Sequence, residues 1–348
     1  MITISLCMIV KNEEAVLDRC LSSIAHLVEE IIIVDTGSTD RTKEIAARYT
    51  DQIYDLPWHQ DFSEARNYAF SKASMEYIYT ADADEVLPSL SQQKFRNLKE
   101  VMLPEVEIVQ MKYVTEPEFN TVINLKREYR PKLYKRVRSF VWEDAVHETV
   151  RLTPIIFDSD IEVMHYPTAD HSERDFNLLL LTFDRNKTLS KKLISMYARE
   201  LFMAGRERDF LNAEQVFLSL YEKESDPELM EQECAVLIRV ARLKKDWERF
   251  ISLALADQGD TFISDICYEI GEYFFQREEY GNAARWFHKA VTDAEPMLNV
   301  RLGGDMAYFR LADCCEYLAS MEQDESLRER AAEYRRAGED WRMPEGDI

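Results

Sequence analysis

Ile31-Ile32-Ile33-Val34-Asp35-Thr36-Gly37-Ser38-Thr39-Asp40 joins four consecutive apolar residues to an acid and a turn sequence. An unbroken apolar run of this length predicts a strand covered on both faces, as in a parallel sheet, rather than an alternating strand with one wet face. Gly37 suits the tight turn from strand to helix, and Ser38-Thr39-Asp40 predicts the cap of a helix over Thr42 to Tyr49. The cap leaves Asp35 unexplained. A carboxylate that ends a buried strand needs a hydrogen-bonded ligand more than it needs water.

Short β-rich runs alternate with helix-period segments on both sides of that stretch: Thr3 to Val10, Ala15 to Leu27, Ile31 to Asp35, Thr39 to Tyr49, Ile53 to Tyr54, Phe62 to Ala73 and Tyr77 to Ala81. This order implies parallel strands with crossover helices, and ligands of such sheets bind at the carboxyl ends of the strands. Three polar clusters fall there: Lys11-Asn12-Glu13-Glu14, the Asp35 to Asp40 turn, and Asp82-Ala83-Asp84-Glu85. Two carboxylates one residue apart at a strand end can both reach a hard divalent cation that bridges diphosphate oxygens. The alternative for Asp82 and Asp84 is an acidic turn without a ligand.

Beyond about Ser172 to Lys192 the strand alternation gives way to helix periodicity. Tyr268-x-Ile270-Gly271-x-Tyr273, followed by Tyr280, Ala283, Ala284, Phe287 and Ala290, resembles a tetratricopeptide repeat, with weaker copies beginning near Tyr197, Ala235 and Tyr308. Such repeats stack to bury their apolar faces and expose a concave surface suited to a peptide or to a second subunit, here a homodimer through the helical domain. The expected domains are 1–189 and 190–348.

Composition bounds the function. The 348 residues carry a net charge of -22, with 46% hydrophobic and 31% charged residues. The excess of acid would repel a phosphate backbone, and the densest basic stretch, Lys126 to Arg138, is short and interrupted, so nucleic acid is excluded as a partner. A mean hydropathy of -0.38, with no apolar run near the length of a bilayer span, implies a cytoplasmic protein without a transmembrane segment. Cys7, Cys20, Cys234, Cys267, Cys314 and Cys315 have no CxxC spacing and lie mostly in apolar patterns, which predicts reduced thiols.

Taken in order, Cys7-Met8-Ile9-Val10-Lys11-Asn12-Glu13-Glu14, Ile32-Ile33-Val34-Asp35-Thr36-Gly37-Ser38-Thr39-Asp40, Ala65-Arg66-Asn67 and Asp82-Ala83-Asp84-Glu85 resemble the donor-binding half of the family 2 glycosyltransferases. The segment Trp142-Glu143-Asp144-Ala145-Val146-His147-Glu148 resembles a motif in bacterial peptide or lipopolysaccharide-core members. The resemblance implies an α/β GT-A domain, Rossmann-like with a mostly parallel sheet, followed by an all-α helical-repeat domain. It further implies that Asp35 recognises the base of a nucleotide-sugar, with Val10 and Glu13 lining its pocket. Asp40 belongs to the same motif, more as helix cap than as contact, and Arg66 would lie near the base or phosphates. Uridine diphosphate is the carrier the resemblance points to.

An inverting transfer needs a carboxylate to take the acceptor's proton while a metal or cationic clamp stabilises the departing diphosphate. Glu148 is the first candidate base, with Asp144 and Glu143 behind it; a helix cap or solvated face is the bland alternative. Asp84 and Asp82 are the expected ligands of Mn2+ or Mg2+. His165, at a strand end before Tyr166-Pro167, would complete the shell, and neutral imidazole suits manganese better. The implied function is an inverting, metal-dependent hexosyl-type transfer to a peptide or protein side chain. A lipopolysaccharide or cell-surface glycan acceptor is the alternative, and a non-catalytic nucleotide-sugar-binding scaffold is the alternative from another class. The scaffold reading does not account for Asp35, Arg66, Asp82 and Asp84 together.

Overall fold

A computed structural model of the chain describes residues 1–115, 127–137, 142–143, 149–150, 153–166, 172–255 and 262–341. Contacts divide it into two compact units, Met1–Ala169 and Asp170–Ile348.

The first unit alternates strands and helices through its first half: β1 (Ile4–Val10), α1 (Leu17–Ile24), β2 (Glu30–Asp35), α2 (Thr42–Ala46), β3 (Ile53–Asp55), α3 (Phe62–Lys72) and β4 (Tyr77–Thr80). Then follow β5 (Glu85–Val86), α4 (Ser89–Val101), β6 (Ile108–Thr115), β7 (Arg127–Lys135), β8 (Trp142–Glu143), β9 (Thr149–Val150) and β10 (Ile156–His165). Eight strands form one sheet in the order β3-β2-β1-β4-β7-β6-β10-β5. The pairs β1 with β2, β1 with β4, β2 with β3 and β10 with β6 are parallel, whereas β7 and β5 run against their neighbours. The sheet is therefore mostly parallel, as the run of apolar residues requires.

Successive residues of β1 and β2 alternate between two cores. Ile4, Leu6, Met8, Val10, Ile31 and Ile33 join the larger cluster, which includes Leu17, Leu21 and Phe95. Cys7, Ile32 and Val34 pack on the other side with Ala69, Ala73 and Ile78. Full burial of one such side chain contributes about 1.5–3 kcal/mol. In β2 both faces are covered from Ile31 onward, and the apolar run continues until the last residue, Asp35.

The polar and basic stretch through Lys126, Arg127, Arg130 and Lys132 is, from the sequence, a segment that could fold over the donor. Its described part, from Arg127, is instead β7, inserted antiparallel between β4 and β6. Leu133 and Lys132 are both buried there.

The second unit is a series of helical hairpins: α5 (Ser172–Asn186) leads into α6 (Lys191–Ala204) with α7 (Glu207–Tyr221), α8 (Pro227–Lys244) with α9 (Trp247–Ala254), α10 (Ser264–Gln276) with α11 (Tyr280–Thr292), and α12 (Asp305–Glu322) with α13 (Glu325–Asp340). The four repeat starts read from the sequence, at Tyr197, Ala235, Tyr268 and Tyr308, fall in the first helix of each pair. The close approach of α10 and α11 depends on Gly271, where an added Cβ would stand 2.6 Å from the Phe287 ring. Phe176 of α5 belongs to the helical core, stacking near Tyr197, which is why the contact boundary precedes α5. All six cysteines are buried and free, and among the described residues no helix is long and apolar enough to cross a membrane.

Candidate functional site

Parallel pairing brings the ends of β1, β2 and β4 to one edge of the sheet. Val10 is registered with Asp35, and Cys7 with Thr80, two residues before Asp82. The loops that leave β1 and β2 are bonded to each other throughout. Asn12, held at a left-handed φ of 57°, donates its backbone N–H to Ser38 Oγ (2.9 Å) and accepts at Oδ1 from Thr39 N (2.8 Å). Glu13 N donates to Thr42 Oγ1 (2.7 Å), and Glu14 N to Asp40 Oδ2 (3.2 Å), while Arg41 N donates to Glu14 Oε2 (3.0 Å). Gly37 supplies the turn with φ of 103°, a backbone state that L side chains seldom adopt.

Asp40 accepts from Thr42 N (3.0 Å) and Thr42 Oγ1 (2.6 Å) at the first residue of α2. It thus performs the capping task expected of the turn, one residue earlier than the Arg41 position that precedes the helix. These bonds, with the one from Glu14, outweigh the pull of partial burial and hold the Asp40 carboxyl below the usual carboxylate range.

Asp35 is fully buried at the end of β2. Its Oδ1 accepts from Gly37 N (2.9 Å) and Ser38 N (2.8 Å). Oδ2 is buried with no hydrogen-bond donor. An orphan acceptor of this kind is uncommon in a folded core. Val10, one strand over, is buried in the larger core, and its carbonyl accepts from Thr36 N (3.0 Å). Glu13 is half-buried in the adjoining loop.

The third cluster follows β4. Arg66, on α3, donates from Nη2 to Asp82 Oδ1 at 3.0 Å, with both side chains nearly half exposed. Burial would raise the Asp82 pKa, but the positive charges of Lys132 and Arg66 overcome it and hold the carboxyl below its ordinary value. Asp84 Oδ2 lies 3.1 Å from His165 Nε2. β5 and β10 create this meeting, because Glu85 is registered with His165 and Tyr166 N donates to the Asp84 carbonyl at 3.1 Å. The His165 ring lies against Tyr113 of β6, with centroids 5.1 Å apart, and its Nδ1 is buried without a partner.

The donor types of Asp84 and His165, a carboxylate oxygen and an imidazole nitrogen, fit a manganese-type ion. Among the described residues no group of three or more His, Cys, Asp or Glu side chains is arranged to hold an ion. Asp82, expected as a further ligand, is engaged by Arg66.

The sequence reading missed the partner of Glu85. This carboxylate is completely buried, and Lys132 of β7 reaches it with Nζ 2.5 Å from Oε1. Burial raises the Glu85 pKa, aided by Asp82 and Asp84, while Lys132 works in the opposite direction. The only sequence signal was a lysine flanked by Pro131 and Leu133 in a stretch of alternating polar residues. Of the proposed bases, Asp144 and Glu148 lie outside the described residues, as does His147; Glu143 belongs to β8.

With this geometry in place, the comparisons with known proteins agree on a class. Residues 5–152 match the family model described as glycosyl transferase family 2, and the N-terminal unit is accordingly a family 2 glycosyltransferase domain. The chain is 46% identical over 87 residues to a TPR repeat-containing protein of Synechococcus elongatus, covering 25% of this chain and 22% of that one. It is 26% identical over 227 residues to the SPbeta prophage-derived glycosyltransferase SunS of Bacillus subtilis, covering 64% and 53%. A third relative is the lipopolysaccharide core biosynthesis glycosyltransferase LpsC of Rhizobium meliloti, 31% identical over 111 residues that cover 30% of this chain and 39% of the relative. The chain thus spans about half or less of the length of these relatives.

Proposed function

We propose that the protein is an inverting, metal-dependent glycosyltransferase that moves a sugar from a uridine diphosphate sugar to a peptide or protein side chain. The observation that carries this reading is the Asp84–His165 pair, 3.1 Å apart, on the sheet edge that also carries Asp35 and the Arg66–Asp82 pair. A bound Mn2+ or Mg2+ supplies electrostatic relief for the departing diphosphate. Asp84 and His165 would hold it, with Asp82 close by.

The chain's own groups divide the work by position. Asp35, through its unpartnered Oδ2, accepts from a ring N–H at the edge of the base, with Val10 and Glu13 alongside. Arg66 places a cationic fork beside the phosphates, where bidentate pairing to an anion is favourable. Its bond to Asp82 keeps that fork oriented before the donor arrives. Glu148 takes the acceptor's proton, with Asp144 the next choice; inversion requires this carboxylate on the face of the sugar opposite the leaving group. The helical hairpins present a surface for the acceptor and for a second subunit.

A glycan acceptor is the second reading, and the lipopolysaccharide-core relative favours it. Incubation of the full chain with a panel of nucleotide-sugars, a peptide mixture and a lipopolysaccharide fraction separates the two by mass spectrometry of the products. Turnover should vanish in excess chelator and in Asp84→Ala, and NMR of the product should show an inverted anomeric centre. Glu148→Gln should lower turnover by roughly 10²- to 10⁴-fold at nearly constant donor affinity. Full activity in chelator removes the metal, a retained anomeric configuration removes the inverting assignment, and a nucleotide that binds without any transfer leaves a sugar-nucleotide scaffold.

A further inference from the structure

Lys132 and Glu85 form a buried ion pair whose place in the sheet is unusual. Their side chains are 8% and 0% exposed. Glu85 lies on β5, an edge strand of two residues paired only with β10, whereas Lys132 lies on β7, separated from β5 in the strand order by β6 and β10. The contact therefore crosses over two strands and ties the edge of the sheet to its interior. Tyr113 of β6 occupies the space between: Lys132 Nζ stands 5.1 Å from its ring centroid, and the same ring faces His165 at 5.1 Å.

Asp84 immediately precedes this short strand. The turn that carries it is held by the Arg66–Asp82 pair and by backbone bonds: Glu85 N donates to the Asp82 carbonyl (3.1 Å), Cys20 Sγ donates to the same carbonyl (3.4 Å), and Tyr166 N donates to the Asp84 carbonyl (3.1 Å). Beyond it, Glu85 and Val86 pair with β10, and Leu87 N donates to Ser23 Oγ (3.2 Å). To these the Lys132–Glu85 pair adds the anchor of the side chain directly after Asp84.

A buried ion pair is a poor device for stability alone, because desolvation of both charges offsets their attraction and apolar replacements of similar volume are often no less stable. Its worth lies in fixing a geometry that an apolar contact would leave free to slide. Here the geometry at stake is that of Asp84 opposite His165.

We propose that Lys132 is a positioning residue: its ion pair with Glu85 fixes β5 against the sheet and so holds Asp84 where it meets His165. The inference rests on the metal-dependent transfer proposed above. Lys132 touches neither donor nor acceptor and acts through Glu85 and the turn.

The test uses the full chain, with Mn2+ titrated calorimetrically at saturating uridine diphosphate, thermal melting, and separate kcat and KM values. Lys132→Met alone leaves the Glu85 carboxylate buried without a partner and lowers the melting temperature. Lys132→Met combined with Glu85→Gln removes one positive and one negative charge, so the net charge around Asp84 is unchanged and the uncompensated carboxylate is gone. The double variant should melt close to the wild type yet bind Mn2+ about 10- to 100-fold more weakly, the usual cost of losing an outer partner of a metal ligand. Its kcat should fall while KM for the donor changes little. Glu85→Gln alone keeps an acceptor for Lys132 and should bind Mn2+ within about threefold of the wild type, since the anchoring hydrogen bond persists. A double variant with wild-type melting, metal affinity and kcat overturns the proposal. So does Glu85→Gln with unchanged melting and a tenfold loss of metal affinity, which would show that the charge of Glu85 acts on the ion directly. A wild type that neither binds Mn2+ with the nucleotide nor turns over brings down the transfer reading itself, and this inference with it.

Discussion

Replacing Asp35 by asparagine isolates one atom of the site. Asp35 Oδ1 accepts from the backbone of Gly37 and Ser38, and Oδ2 is buried without a donor. The amide of Asp35→Asn keeps an oxygen for the two backbone donors, so the turn survives; at the other position it presents an N–H where the wild type presents an acceptor. The folded protein loses little: no native partner of Oδ2 is lost, and the buried charge that is removed faces only the half-exposed Lys43, 3.9 Å from Oδ1. Asp35→Ala, by contrast, strands two backbone donors, at about 1–3 kcal/mol for each buried group left unpaired. Nucleotide binding follows another rule. A hydrogen bond to an ionised acceptor contributes about 1.5–3 kcal/mol, which corresponds to a Kd weakened roughly 10- to 150-fold. Calorimetric titration of uridine diphosphate, beside thermal melts of wild type, Asp35→Asn and Asp35→Ala, separates the two effects. If Asp35→Asn binds the nucleotide as tightly as wild type while melting normally, Oδ2 does not meet the base and the reasoning fails.

Two further outcomes follow from the helical unit. Glu233 is completely buried with neither oxygen hydrogen-bonded, and burial, reinforced by Glu224, raises its pKa to about 8. Because the folded protein binds this proton more tightly than the unfolded chain, stability falls as pH rises from about 4.5 to about 8 and is level above that. Glu233→Gln should therefore raise the melting temperature more at pH 8.5 than at pH 5.5, and an equal gain at both would refute the assignment. In Gly271→Val, the new side chain meets the Phe287 ring, which is itself fully buried and cannot swing aside. Overpacking of this kind costs about 1–3 kcal/mol, visible as a melting temperature lower by several degrees; an unchanged melt would show that α10 and α11 part without penalty.

The residues that announced the fold in the sequence are those whose environment is set by near neighbours in the chain. Ile31 to Val34 needed only their own apolar run to be read as a doubly covered strand, and Gly37 only its place after it. Tyr268, Gly271 and Phe287 fall at repeat spacing, because α10 packs closely on α11, the next helix in the chain. The charged positions within the core were not legible. Lys132 reads as a solvated base until Glu85, 47 residues earlier, is brought against it, and β7 reads as a loop for the same reason. Glu233 looks like any exposed helix acid, since nothing in its own helix reports that both its oxygens are enclosed. The Asp82–Asp84 cluster was visible as chemistry, but its division depends on α3 bringing Arg66 to Asp82 and on β5 and β10 bringing His165 to Asp84, which no local pattern encodes.

The bonds between the loops after β1 and β2 bear on how this protein can change. Asn12 and Ser38 are 26 positions apart in the chain, yet their loops are tied to each other by several shared donors and acceptors. A nucleotide bound there, as proposed, would meet groups already held by hydrogen bonds, so little of its binding energy would go into ordering the protein. The same coupling restricts descent. A residue inserted after Val10 would slide Asn12, Glu13 and Glu14 past the partners that Ser38, Thr42 and Asp40 provide, and no change within the first loop could restore them. Length in these two segments must be altered together or left alone.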